Sequence, residues 1–234
     1  MSGKNKEKIR AALRITLGVC FILSGVMKAV NVYSFAQEIR LYMDAYIDSY
    51  FVKWTVEIAV LICAIEIITG LLALRKQYES IVAAVFFGMM SFFVWLTGIN
   101  LFNPSLMGSI ESCGCFGELI HFSPLASFVK SLVLWMMAIG CCVLGVRCWK
   151  TGDKCWVFGV RYWIKHFVSD RKMYVICIAG VLPAVYSYIC FENIEHGYYV
   201  AGYIALCVFC GGLCLGIMRK RLRSKDKGLR SENL

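Results

Sequence analysis

Residues 54–74 read WTVEIAVLICAIEIITGLLAL, an apolar run whose only charges are Glu57 and Glu66. A helix needs about 20 apolar residues to cross the hydrocarbon core of a bilayer. This run has that length, and it lacks the strict apolar–polar alternation of a membrane β-strand. Working outward, five further segments qualify: 11–32, 79–101, 124–147, 173–191 and 198–218. Composition agrees, with 59% hydrophobic residues, 17% charged residues and a mean hydropathy of +0.67. Soluble domains are nearer half apolar and a quarter charged. Disordered, collagen-like and small disulfide-scaffold classes are excluded, and a soluble enzyme is argued against. The expectation is an all-α membrane protein with six transmembrane helices.

The net charge of +10 would suit nucleic acid in a soluble chain; in a membrane protein its distribution decides. Of the 25 Lys and Arg, all but Lys28, Arg40, Lys53 and Lys130 fall in four segments: the N-terminus, the Arg75–Lys76 connection, the loop 148–172 with its flanks, and the tail after 218. Those four segments lie on one side of the six-span arrangement. The positive-inside rule therefore predicts both termini in the cytoplasm, N-in and C-in. The basic tail reads as topogenic charge, with no nucleic-acid partner. The first span reads as an uncleaved anchor, since Lys28 closes its apolar run and no small-x-small cleavage site follows.

Three segments then face outward: 33–53, 102–123 and 192–197. Residues 33–53 place Phe35, Ile39, Tyr42, Tyr46 and Tyr50 at near-helical spacing, predicting an interfacial helix on the outer surface that covers the bundle. Residues 154–168 repeat the pattern inside, with Trp156, Val160, Trp163 and Phe167 on one face. Ala201, Ala205, Gly212 and Gly216 form a small-residue stripe in the last span, for packing within the bundle or in a homodimer.

The loop before the fourth span carries Cys113-Gly114-Cys115-Phe116-Gly117. Two cysteines about one glycine can close a small-ring disulfide, with glycine relieving the backbone. A strained, exposed disulfide exchanges readily, so the pair is the candidate catalytic site. Ser123 can cap the following helix and Pro124 suits its first position. His121 is the one histidine of the loop, a candidate proton acceptor beside a thiolate or a solvated interfacial residue. A structural disulfide is the plainer alternative. A metal site is not predicted, because Cys113, Cys115, His121 and Glu111 lack the usual ligand spacing.

Among the other cysteines of the 13, Cys190 ends the fifth span on the outer side and is a candidate resolving thiol. Cys20, Cys63 and Cys177 read as small hydrophobes, and Cys207-Val-Phe-Cys210 lies inside a span. Charges within the spans are costly and face the interior or pair. Lys28, Glu57, Glu66 and Lys130 thus form a candidate polar pocket. The first pairing expected is Glu57–Lys28 and Glu66–Lys130, with the exchanged pairing as the alternative. Such a pocket would take up a proton or hold a quinone headgroup; an ion pair fixing helix register is the structural alternative.

These motifs together resemble the DoxX/MauE-like membrane proteins, on the MauE side. The resemblance covers about residues 11–147 and rests on Arg14…Gly18…Ser24-Gly25-x-x-Lys28, on Glu57 and Glu66…Gly70, and on Cys113-Gly-Cys115-Phe-Gly117. It implies a DoxX/MauE-like four-helix bundle and thiol–disulfide chemistry outside the bacterial inner membrane, alongside a thioredoxin-like protein or a disulfide-rich client. DoxX relatives are linked to quinone-coupled sulfur oxidation, which raises quinone as a cofactor. The vitamin K epoxide reductase and DsbB families also pass electrons from thiols to quinone. This chain departs from those two in having one outer cysteine pair instead of two.

The expected organisation is therefore a bundle over 1–147, a basic cytoplasmic segment over 148–172, a two-helix C-terminal extension over 173–218 and a basic tail over 219–234. The expected function is that of a multi-pass inner-membrane thiol–disulfide oxidoreductase. The rival is a non-catalytic assembly protein in which Cys113 and Cys115 only stiffen a loop.

Overall fold

The computed structural model describes residues 3–46, 49–102, 123–145 and 171–231, and every regular element among them is helical. The helices are α1 (Gly3–Val30), α2 (Val32–Tyr46), α3 (Thr55–Ala73), α4 (Glu79–Phe102), α5 (Pro124–Gly145), α6 (Arg171–Cys190) and α7 (His196–Ser231), with 3-10 turns at Ser49–Trp54 and Lys76–Tyr78. Among the described residues, five stretches are long and apolar enough to cross a membrane: Asn5–Val30, Val52–Ala73, Glu79–Phe102, Pro124–Leu144 and His196–Gly216. The remaining expected span, α6, is apolar over the shorter run Tyr174–Cys190, about 25 Å by helical rise. Arg171 and Lys172 begin that helix and Pro183 interrupts its hydrogen-bond ladder.

The surface is inverted relative to a soluble domain. Phe92, Trp95, Phe102, Val143, Val208 and Phe209 are among the exposed large side chains. Small residues occupy the contacts between helices instead, as expected where lipid and core are equally apolar and close packing drives association. At Gly70, an added Cβ would lie 2.6 Å from the Gly18 carbonyl oxygen and as near the Ile22 side chain. At Gly25 it would meet Ile67 Cγ1 at 2.7 Å and the Cys63 carbonyl at 3.0 Å. α1 and α3 thus run antiparallel at backbone contact.

α4 and α5 form a second antiparallel pair. Trp135 Nε1 donates to Ser91 Oγ at 2.9 Å, and Phe102 meets Phe128 edge-on at 5.7 Å. Ser123 Oγ accepts the Ala126 N–H at 3.3 Å, and Pro124 opens α5, the start foreseen from the sequence. The two pairs join through Phe21 and Phe86, 4.5 Å between ring centroids, and through Leu13 against Gly140. α6 and α7 pack on the α1–α3 side. Gly180 sits against Ile68, Ala184 shares a cluster with Ala59 and Cys63, and Tyr203 Oη donates to the Val26 carbonyl at 2.6 Å.

Read along these contacts, one end of the bundle gathers Arg10, Arg14, Arg75 and Glu79. The other end carries α2. There the chain breaks between α1 and α2 for the single residue Asn31. Asn31 Oδ1 accepts the Ser34 N–H at 3.1 Å, as an N-cap does, and restarts the helix. α2 buries Val32, Phe35 and Ala36 against the N-terminal half of α3, in one cluster with Ala59 and Cys63. The helix expected over 33–53 therefore exists as Val32–Tyr46 and covers the bundle.

Candidate functional site

Two of the four charged motif residues, Lys28 and Glu66, meet at the α1–α3 seam. Lys28 Nζ lies 2.5 Å from Glu66 Oε1, and both side chains are almost wholly buried, at 1% and 2% exposure. The Lys28 ammonium also stands over two rings, 4.5 Å from the Phe93 centroid and 5.0 Å from that of Phe35. Those distances fit cation–π attraction. Cys63, one turn before Glu66, is fully buried and within electrostatic range of both charges. Glu66 Oε2 has no hydrogen-bond partner among the described residues. Gly25, one turn before Lys28, brings the α1 backbone close enough for the lysine to reach.

The leading sequence pairing is corrected here. Lys28 takes Glu66, the exchanged partner, and not Glu57. Two physical reasons account for this. Glu57 and Glu66 are nine residues apart, about two and a half helical turns, so they lie on opposite faces of α3. Glu57 is exposed accordingly, while Glu66 is buried. Lys28 also does not mark the end of the bundle, because α2 resumes after Asn31 and packs on α3 beyond it. Lys130 is half-buried on α5, flanked by the buried Ser127 and Ser131. On α4, Thr97 and Asn100 are each 1% exposed. Thr97 Oγ1 donates to the Phe93 carbonyl at 2.8 Å. Cys190 closes α6 at the α2 end and is half-buried. Cys113, Cys115 and His121 lie outside the described residues.

A second charged group sits at the opposite end. Arg10 Nε is 2.6 Å from Glu79 Oε1, Arg14 approaches the same oxygen at 3.8 Å, and Arg14 donates to the Ala73 carbonyl that ends α3. Lys76 pairs with Glu7 nearby. Arg14 of the sequence motif thus ties down one end of the same seam whose other half holds Lys28.

The break at Asn31 was not foreseen, and neither was what fills it. A helix end leaves backbone groups unpaired, which is costly in an apolar setting. Tyr199 Oη donates to the Val30 carbonyl at 2.5 Å, and Ser187 Oγ accepts the Val32 N–H at 3.4 Å. The two hydroxyls are themselves 3.0 Å apart, closing a chain of hydrogen bonds around the break. Tyr33, the second residue of α2, donates to the Tyr188 carbonyl at 2.9 Å and stacks on the Tyr188 ring. Burial, with Glu192 and Tyr188 close by, raises the Tyr33 pKa, so its hydroxyl stays protonated as a donor. The sequence signal was present as five tyrosines at one end of α6–α7, Tyr186, Tyr188, Tyr198, Tyr199 and Tyr203, but the acceptors of Tyr186, Tyr199 and Tyr203 are backbone carbonyls that no side-chain pattern announces.

These features define a multi-pass helical membrane protein whose first and third helices meet at a glycine-lined seam enclosing a buried ammonium–carboxylate pair. The chain belongs to the MauE family: the model for methylamine utilisation protein MauE matches residues 6–145, from α1 to the end of α5. It is also similar to Protein TlpB of Flavobacterium psychrophilum, with 24% identity over 147 residues. That alignment takes in 54% of this chain and 36% of TlpB, so it spans little more than a third of the relative's length. No solved structure matches.

Proposed function

We propose that the protein is an inner-membrane thiol–disulfide redox protein. It exchanges disulfides with a thioredoxin-like partner or a disulfide-rich client outside the cytoplasm, through Cys113 and Cys115. The observation that carries this reading is the Cys-Gly-Cys pair within a chain of the MauE family, in the segment linking the end of α4 to the start of α5. Attack by a partner thiolate on the Cys113–Cys115 bond forms a mixed disulfide and releases the other cysteine as thiolate. A second partner thiol then releases the partner as a disulfide and leaves both loop cysteines reduced. Cys115 is the better candidate for the bond-forming thiol, being nearer in sequence to the α5 N-terminus, whose positive end favours thiolate. His121 is the candidate proton acceptor, and Cys190, at the α2 end of α6, a candidate resolving thiol.

Six crossings with both termini inside fit this reading. α6 packs along α3 from Ile176, in the cluster of Leu72 and Ala73, to Ser187, beside Val32. It thus covers the depth of its neighbours despite its short apolar run. The organisation is then the MauE bundle over 1–147, joined by a basic cytoplasmic segment over 148–172 to the α6–α7 extension. The test is the redox state of Cys113 and Cys115 in membranes, read by differential alkylation and mass spectrometry across a graded thiol buffer. Reversible titration in the range of known exchange catalysts supports the oxidoreductase. A pair that stays oxidised under strongly reducing conditions leaves the loop-stiffening reading in its place.

A further inference from the structure

We propose that α2 is a lid, hinged at Asn31, over the buried Lys28–Glu66 pair, and that α6 and α7 form the latch that sets how often it opens. The hinge is a break of one residue between two helices, so α2 can turn about it without unwinding α1. The lid's inner face is Val32, Phe35 and Ala36, and Phe35 is one of the two rings over the Lys28 ammonium. Lifting α2 therefore removes apolar cover from a charged pair and from Cys63, which shares the lid's cluster. The latch consists of two hydrogen bonds between the lid and α6, Val32 N–H to Ser187 Oγ and Tyr33 Oη to the Tyr188 carbonyl, backed by Tyr199 of α7, which donates to Val30 on the α1 side of the hinge and stands 3.0 Å from Ser187 Oγ. Phe191 adds a ring contact to Tyr33 at 5.7 Å. Behind the lid, Glu66 Oε2, which has no hydrogen-bond partner among the described residues, offers an entering water an acceptor beside an ammonium. The open state thus admits water to a place that the closed state keeps dry.

Cys63 supplies the reporter and Cys141 the control, since both are buried free thiols but Cys141 lies by the Arg10–Glu79 group, far from the lid. Full-length protein in nanodiscs is treated with a charged, water-borne methanethiosulfonate reagent, and labelling of each cysteine is followed by peptide mass spectrometry. Local opening sets the labelling rate when closing is fast. Removing one net hydrogen bond raises the open fraction about five-fold, so Tyr33→Phe should speed Cys63 labelling by that factor. Tyr33→Phe with Ser187→Ala should speed it by roughly 25-fold if the two act independently. Tyr186→Phe removes a bond to the Tyr199 carbonyl that does not touch α2 and should leave Cys63 unchanged. Cys63 labelling within two-fold of wild type in the double variant overturns the proposal. So does a parallel rise at Cys141, which would mean general loosening of the bundle.

Discussion

Breaking the Lys28–Glu66 pair from either side should destabilise the bundle unequally, and breaking it from both sides should cost less than the worse single change. At 2.5 Å and near-complete burial, the attraction at an effective dielectric of 20 is about 6–7 kcal/mol before desolvation is counted. Removing one partner of such a pair typically costs about 3–5 kcal/mol, because the other charge is left buried and unanswered. Lys28→Met leaves the Glu66 carboxylate among Cys63, Ile67 and two phenyl rings, and should fall at the top of that range. Glu66→Gln leaves the ammonium still facing Phe35 and Phe93. Two desolvated cation–π contacts recover about 1–2 kcal/mol, which puts this variant near the bottom. The double variant Lys28→Met/Glu66→Gln removes both charges at similar volume and should lie within about 2 kcal/mol of wild type. Equilibrium unfolding in mixed micelles, with identical lipid and detergent for all four proteins, measures the cycle. Additive losses in the double variant, or equal losses in the two singles, would refute the argument from this geometry.

Other outcomes follow from single contacts. Gly70→Ala forces a methyl against the Gly18 carbonyl and should cost about 1–3 kcal/mol as overpacking; Gly211→Ala, where space is open, should be neutral in the same unfolding assay. Trp135→Phe deletes the indole donor to Ser91 Oγ and should lower stability by about 1 kcal/mol, with a matching change in tryptophan emission on unfolding. Cys113→Ser, which leaves Cys115 as the bond-forming thiol, should accumulate a mixed disulfide visible on a non-reducing gel, whereas Cys115→Ser should not; a band in both or in neither would count against the assigned order.

Five of the six expected spans were legible because lipid demands a long apolar run and the sequence has no other use for one. The start of α5 was legible too, since Ser123 and Pro124 carry the cap and first turn in their own chemistry. The identity of the Lys28 partner was written in the spacing of Glu57 and Glu66, half a turn out of phase, but spacing alone does not say which face is inward. What sequence reasoning could not reach is the docking of α6–α7. Tyr33, Tyr199 and Tyr203 each donate to a main-chain oxygen, and every residue has one. Phe35 and Phe93 were equally unreadable as neighbours of a cation, being indistinguishable from lipid-facing aromatics such as Phe92. Cys113 and Cys115 stand as the sequence motif leaves them, and their family membership supports the role proposed.

The bond from Tyr199 to Val30 spans 169 residues of chain. A ribosome adding about 5–20 residues per second takes roughly 10–30 s to make that interval. During that time the carboxyl end of the first helix is already in place while its phenolic partner has yet to be synthesised. Insertion of this protein thus has a waiting period built into it, in which the earliest helix is held by something other than its final neighbour. Chains stalled just before and just after residue 199 should differ in protease sensitivity near Asn31, and that difference would time when the last helix arrives.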